Sequence, residues 1–288
     1  MNFPALFDAA DTIAAESQRK FLRALRAEVV ALSAAALVAQ FPARQLSGAG
    51  PIASLALFAV ALAIRISRVE EHAQREWYDA RAAAESIKSA SWQYAVGGEA
   101  YRVEDPAAEA RFQDDLRRYL GQLPHLDVPT GSPAQCGATS DMQALRRMPV
   151  PDRAETYLRD RVEDQLDWYS TNARRNKQRA RRWWAATVAI EAAAIAVGLA
   201  RVIAKFDIDW LGVLAAIAAS LAAWQQAKRY TELSESYSVT SHEVGLIRSS
   251  LDRNAAEPDW AQFVHDAEAA FSREHTLWLA RRQGPLAA

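Results

Sequence analysis

Four blocks of nearly uninterrupted apolar residues divide an otherwise strongly charged chain of 288 residues. Between Arg26 and Arg44 runs AEVVALSAAALVAQFPA, with Glu28 as its one charge. Between Arg44 and Arg65 runs QLSGAGPIASLALFAVALAI, with none. Between Arg182 and Arg201 lies WWAATVAIEAAAIAVGLA, broken only by Glu191, and between Asp209 and Lys228 lies the uncharged WLGVLAAIAASLAAWQQA. A helix needs about 20 such residues to cross about 30 Å of hydrocarbon. All four sit at the short end, a mismatch that local thinning of the bilayer or snorkelling flanks can absorb. Their alanine content would also suit the core helices of a soluble bundle, so hydropathy alone does not decide.

Pairing, charge and aromatic placement decide it. Each odd block is followed by its neighbour after about ten residues, at 41–51 and at 201–210, which is hairpin spacing. Around the two tips the cations are Arg44, Arg201 and Lys205, the last two offset by Asp207 and Asp209. At the opposite ends lie Arg19, Lys20, Arg23, Arg26, Arg65, Arg68, the run 174–182, Lys228 and Arg229. Both hairpins therefore obey the positive-inside rule in the same sense, with both termini cytoplasmic. Trp183, Trp184 and Trp224 fall at the inner boundary and Trp210 at the outer one, as an interfacial belt requires.

Outside the blocks the pattern stays helical. Ile66, Val69, Ala73, Trp77, Ala80, Ala84, Ile87, Ser91 and Tyr94 step by three and four without a break until Gly97-Gly98. Tyr230, Leu233, Tyr237, Thr240, Val244, Ile247 and Leu251 repeat the pattern after the fourth block, and a shift of about 150 residues relates the two, as a weak internal repeat. Residues 155–182 read as one helix feeding into the third block, and 258–282 as a final amphipathic helix. Such apolar seams must pack on each other or on other subunits. Residues 121–152 hold Pro124, Pro129, Pro133, Pro149 and Pro151 with little periodicity, and read as a linker. The fold expected is an all-α membrane protein with two transmembrane helical hairpins (four spans), long cytoplasmic helical extensions and a duplicated unit. Its boundaries are 1–120 for the first two-span unit, 121–152 for the linker and 153–288 for the second unit.

A net charge of -1 gives no bulk argument for nucleic acid or an acidic substrate. The run RRNKQRARR at 174–182 carries six cations, but it abuts a span, so topology and lipid headgroups explain it better than nucleic acid. Cys136 is alone, which excludes an intramolecular disulfide and a cysteine-rich metal site. Acidic residues at Asp8, Asp11 and Glu16 make the start unlike a secretory leader. No phosphate loop, dinucleotide fingerprint, nucleophile elbow or H-E-x-x-H is present, and no cofactor is implied. Of five scattered histidines, only His265 and His275 share a helix, and Asp266, Glu268 and Glu274 near them read as surface polarity.

Glu191 stands apart. It is the ninth of eighteen residues in its block, near the bilayer centre, where an ionised side chain costs about +2.5 to +3.5 kcal/mol. Ser220 in the antiparallel fourth block reaches about the same depth, and Ser33 in the first block lies slightly nearer the cytoplasm. Two roles remain open: a pore-lining or gating carboxylate ringed across an oligomer, or a protonated acid bonded to Ser220 or a backbone carbonyl for assembly.

ESIKSASWQY (85–94), YLRDRVEDQLDWY (157–169) followed by a basic run and a span, and REHTLWL (273–279) resemble the SLATT family. These are the SMODS- and SLOG-associating two-transmembrane effector domains of bacteria, here in tandem. The resemblance carries over Lys88 and Trp92, then Tyr157, Arg161, Gln165, Trp168 and Tyr169, then Glu274 and Trp278, all compatible with packing roles. It implies an inner-membrane effector of antiviral conflict systems that forms pores or perturbs the membrane when a sensor is triggered. It also implies a separately encoded sensor or nucleotide-messenger enzyme as partner, while the apolar seams described above lead us to expect a homo-oligomer in the lipid bilayer. No direct nucleic-acid binding is expected. Two other readings remain: a non-conducting scaffold of membrane-anchored helices, and a small-solute transporter. The latter would ordinarily show Gly/Pro-broken half-helices, whereas Pro42 and Pro51 both sit at a hairpin tip.

The charge asymmetry can be checked directly. In a Cys136→Ser background, cysteines at Ser47 and Phe206 should react with an impermeant thiol reagent in intact spheroplasts. A cysteine at Thr130 should react only after permeabilisation; labelling of Thr130 from outside would reverse the assignment.

Overall fold

A computed structural model describes residues 1–39, 49–121, 137–204 and 210–282, the side chains of 204 and of 272–282 excepted. Every regular element among them is helical. In order they are α1 (Ala5–Val38), α2 (Ala49–Ser67), α3 (Val69–Val96), a 3-10 turn (Glu99–Tyr101), α4 (Ala108–Gly121), α5 (Ser140–Arg146) and α6 (Val150–Tyr157). A π-helical stretch (Leu158–Glu163) then leads into α7 (Asp164–Ala204), followed by α8 (Trp210–Lys228), α9 (Tyr230–Ser250) and α10 (Glu257–Arg282). Three helices are long and apolar enough to cross a membrane, those containing the second, third and fourth blocks. The end of the first block and both hairpin tips fall outside the described residues.

The chain forms two compact units. One gathers Met1–Glu16, Arg75–Ala173 and the chain from Glu235 onward; the other gathers Ser17–Gln74 and Arg174–Ser234. The first buries large side chains, as a water-soluble core does. Trp260, Tyr157, Phe112, Ile87, Leu116 and Met142 are all within 2% of complete burial. The second is built the other way round. On α2 the buried residues are Gly50, Ser54 and Ala61, while Ile52, Leu55, Phe58, Leu62 and Ile66 are exposed. Within the first apolar block α1 buries Glu28, Ala31 and Ala35, and before the block it buries Ser17 and Phe21. Small residues inward and large apolar residues outward is how helices pack when the solvent is hydrocarbon. A soluble bundle of Ala-rich helices would have the opposite arrangement.

Three expectations change. The helix after the second block is interrupted: Arg68 adopts φ 53 between α2 and α3. Arg229 adopts φ 48 between α8 and α9, and no other non-glycine residue described has a positive φ. In each case the next turn starts at once, His72 N donating to the Arg68 carbonyl (3.1 Å) and Leu233 N to that of Arg229 (2.9 Å). Each guanidinium then pairs with the acid three residues on, Glu71 and Glu232. α2 and α8 each span 19 residues and each stops immediately before one of these arginines.

The expected linker is also partly structured. Its first residues, 122–136, lie outside the description. From Thr139, whose hydroxyl accepts from Met142 N, the chain is helical. Met142, Leu145 and Val150 enter the core, their short helices having escaped the periodicity test. The apolar seam of α3 is covered as well. Ala80, Ala84, Ile87, Ser91 and Tyr94 are buried within the chain's own core, so that seam gives no argument for a second subunit.

The end of α3 anchors this core. Gly97 (φ +76) closes the helix, with Gly98 N donating to the Gln93 carbonyl at 2.7 Å in a Schellman turn. The Val96 carbonyl accepts from Arg153 Nη1 and from Trp260 Nε1, both at 2.7 Å. Arg146 bonds the carbonyls of Tyr94, Tyr101 and Arg102. A Cβ on Gly97 would stand 2.5 Å from Arg153 Nη1 and 2.6 Å from Val103 Cγ2. Gly97→Ala should therefore lower stability by at least about 2 kcal/mol, from left-handed strain and displacement of Arg153. Gly245→Ala, mid-helix with nothing within 4 Å of its Cβ, should raise stability slightly. Thermal unfolding of the purified full chain compares them; an unchanged midpoint for Gly97→Ala would contradict this account of the turn.

Candidate functional site

Within the membrane-type unit, α1 touches both α2 and α8. Ser54 Oγ donates to the Ala35 carbonyl at 3.0 Å, and Ser33 and Ser220 hydroxyls bond each other at 2.9 Å. α7 and α8 are joined by Gln225 Nε2 donating to Thr187 Oγ1 (2.8 Å) and by Trp183 against Trp224, ring centroids 6.3 Å apart. Trp224 is thus 9% exposed, a packing residue more than a belt residue, whereas Trp184 is 63% exposed.

Ser33 and Ser220 were expected near one depth, and the structure joins them. It does not bring Glu191 to them: that side chain is exposed on α7. Its neighbours along the same face are Trp184, Val188, Ile195, Leu199 and Val202, all between 43% and 78% exposed. Steps of three and four place them on one continuous apolar stripe, with the carboxylate in the middle. Among the described residues no bond joins Glu191 to Ser220, whose hydroxyl bonds Ser33 instead.

The acid of the first apolar block is paired. Glu28, 4% exposed, accepts from Arg65 Nε at 2.9 Å and from Nη2 at 2.5 Å. Nearby, burial and then the negative charge of Glu28 raise the Glu70 carboxyl above its usual range. The sequence shows Glu28 and Arg65 only as one charge inside a block and one beyond another. Their pairing needs the hairpin to be folded.

In the core unit the family-motif residues converge. Arg161 makes a two-pronged pair with Glu268, Nε to Oε1 at 2.9 Å and Nη2 to Oε2 at 2.6 Å, with both side chains essentially buried. Tyr157 donates to Glu268 Oε1 at 2.9 Å, and the Arg161 guanidinium lies 4.9 Å from the centroid of Phe271. Trp92 packs edge-on against Tyr157, which packs edge-on against Trp260. Lys88 is half-buried one turn before Trp92; burial, then the charge of Arg161, lowers its pKa. Gln165 is buried. Trp168 and Tyr169 pack against each other and against Tyr237. The backbone of α10 includes Glu274 and Trp278, but their side chains lie outside the described residues. Arg161 and Val162, adjacent in the π-helical stretch, are both buried in the core.

Glu268 corrects the sequence reading, which left it on a surface: it is 0% exposed. The signal was present, because position 268 is four after Val264 and three before Phe271, on the stripe that defines the buried face. Arg146 and Arg153 were likewise missed, since both lie in or beside the proline-bearing stretch.

A family model described as SMODS and SLOG-associating 2TM effector domain 3 matches residues 4–154, and one described as SMODS and SLOG-associating 2TM effector domain 1 matches residues 157–278. No curated protein and no solved structure matches the chain. Each compact unit draws residues from both matched regions.

A buried pair that loses one partner strands the other charge, at a cost of about 3–5 kcal/mol. Glu268→Gln should destabilise the full chain on that scale, with Arg161→Lys intermediate because an ammonium cannot make the fork. The apolar double replacement Arg161→Met with Glu268→Leu should recover most of the loss, as read by thermal unfolding in mild detergent. Equal midpoints for the single and double variants would deny that the two charges depend on each other.

Proposed function

The chain belongs to the SMODS and SLOG-associating 2TM effector family, with two such domains in tandem, and from that premise we propose that it is a non-enzymatic membrane effector of a bacterial conflict system that permeabilises the inner membrane when a separately encoded sensor is triggered. The observation that carries this reading is Glu191, a carboxylate at mid-span in the middle of an exposed apolar stripe. Facing acyl chains it would find no hydrogen-bond partner, at a cost of a few kcal/mol. Further protein must cover it, and the occupant proposed is a second copy of this chain. Several α7 stripes then meet in a homo-oligomer, and their carboxylates supply a polar path through the bilayer.

The proposal includes four spans, with α1 contributing the first, and both termini in the cytoplasm. The match of α2–Arg68–α3 to α8–Arg229–α9 at one offset supports a duplicated unit. A hairpin unit whose large apolar side chains face outward supports residence in lipid.

Expression with the cognate sensor during phage infection should depolarise cells and admit an impermeant dye. Glu191→Gln keeps shape and hydrogen bonding without charge; Glu191→Ala removes both. If the carboxylate lines the path, each variant should cut dye entry about ten-fold or more at normal membrane level, since each removes a charge stabilised only in the assembled path. If it is an assembly contact alone, the Gln variant should behave like the parent and the Ala variant should lose the oligomer. No leak with partner and trigger present would leave a non-conducting scaffold as the better account.

A further inference from the structure

Two cations pack on one indole in the membrane-type unit, and a third lies near enough to act on one of them. The Arg26 guanidinium lies 5.2 Å from the centroid of Trp224, and Lys228 Nζ lies 5.4 Å from it. Arg179 is close enough, with Arg26, to act electrostatically on Lys228. The three come from α1, α7 and α8, so tertiary packing assembles the cluster. Among the described residues, none of the three has a carboxylate within ion-pair distance. Elsewhere in the same unit Arg65, Arg68 and Arg229 are each matched with an acid. At the centre, the Nε1–H of Trp224 is buried without an acceptor, in a side chain 91% removed from solvent.

Three uncompensated cations repel one another, and an orphaned buried N–H carries its own desolvation penalty. One ligand resolves both: an anion with several acceptor oxygens. Position narrows its source. Arg26 is the last cation before the first apolar block, Arg179 lies four residues before Trp183, and Lys228 ends α8. All three therefore stand at the level of the inner headgroups, a step that rests on the membrane topology proposed above. Basic pockets between spans on that side suit anionic lipid phosphates.

We propose that Arg26, Arg179, Lys228 and the Trp224 indole N–H form a binding site for the phosphate of an anionic phospholipid. The guanidinium of Arg26 and the ammonium of Lys228, both packed on the indole, bind phosphate oxygens, and the Nε1–H donates to a third. A zwitterionic ethanolamine lipid is disfavoured, because its ammonium would meet three cations and no acid. The site joins α1 of the first hairpin to α7 and α8 of the second through a lipid. The composition of the inner leaflet thereby sets the stability of the unit independently of any conducting state.

Native mass spectrometry of the full chain, released from micelles carrying phosphatidylglycerol or phosphatidylethanolamine at equal mole fraction, tests this. The parent should retain one or more phosphatidylglycerol molecules and gain thermal stability from that lipid over phosphatidylethanolamine. Near a membrane surface each cation contributes about 1 kcal/mol, so Arg26→Gln with Lys228→Gln should weaken retention about 25-fold. Trp224→Phe, which keeps the ring and removes only the donor, should weaken it about ten-fold. The control Lys177→Gln with Arg181→Gln removes the same charge from the same basic stretch and should weaken it far less. Retention lost equally in that control would overturn the proposal in favour of diffuse attraction. Equal retention of phosphatidylethanolamine, or full competition by millimolar inorganic phosphate, would overturn the lipid assignment. None of these readouts requires a leak, so a failed permeabilisation assay leaves this result standing.

Discussion

Hydrocarbon cannot hydrogen-bond, and the second unit is arranged around that constraint. Hydrophobic attraction between helices vanishes in lipid, so close approach of backbones and the few available polar contacts must hold the bundle together. Gly50, Ser54, Ala31 and Ala35 permit the approach, and Ser54 to the Ala35 carbonyl, Ser33 to Ser220 and Gln225 to Thr187 supply the contacts. Large side chains such as Ile52, Leu55 and Ile195 are then left for the lipid. The acid of the first block is tolerated because Arg65 returns to it across the hairpin. Glu191 has no such partner among the described residues, and the functional reading follows from that difference.

The other unit obeys water's rules and is held by buried arginines used as connectors. Arg146 and Arg153 collect the carbonyls left open at the end of α3, and Arg161 ties α10 to the π-helical stretch through Glu268. A guanidinium withdrawn from water needs most of its donors met, and these three donate to carbonyl or carboxylate oxygens from segments far apart in sequence, with Arg161 Nη1 left unmatched among the described residues. The core includes Ile87, Trp92 and Phe112 from the first matched region with Tyr157, Val162, Trp260 and Val264 from the second. The tandem domains are thus interleaved, and neither has a complete core of its own.

The sequence by itself determined the helical class, the apolar blocks and the family, because periodicity and local motifs are properties of short stretches of a chain. It also carried enough to bury Glu268, had its spacing from Val264 and Phe271 been weighed. It could not show the breaks at Arg68 and Arg229, since a left-handed arginine leaves no compositional mark. Nor could it show that 139–157 belong to the core, because helices of seven or eight residues are too short for a period to emerge. Which side chain meets which was decided only by tertiary structure: Arg65 with Glu28, Arg161 with Glu268, and Arg26 and Lys228 with Trp224. Whether Glu191 points inward or outward was decided there too, because the rotation of a nearly all-apolar helix about its axis is set by its neighbours and not by its own sequence.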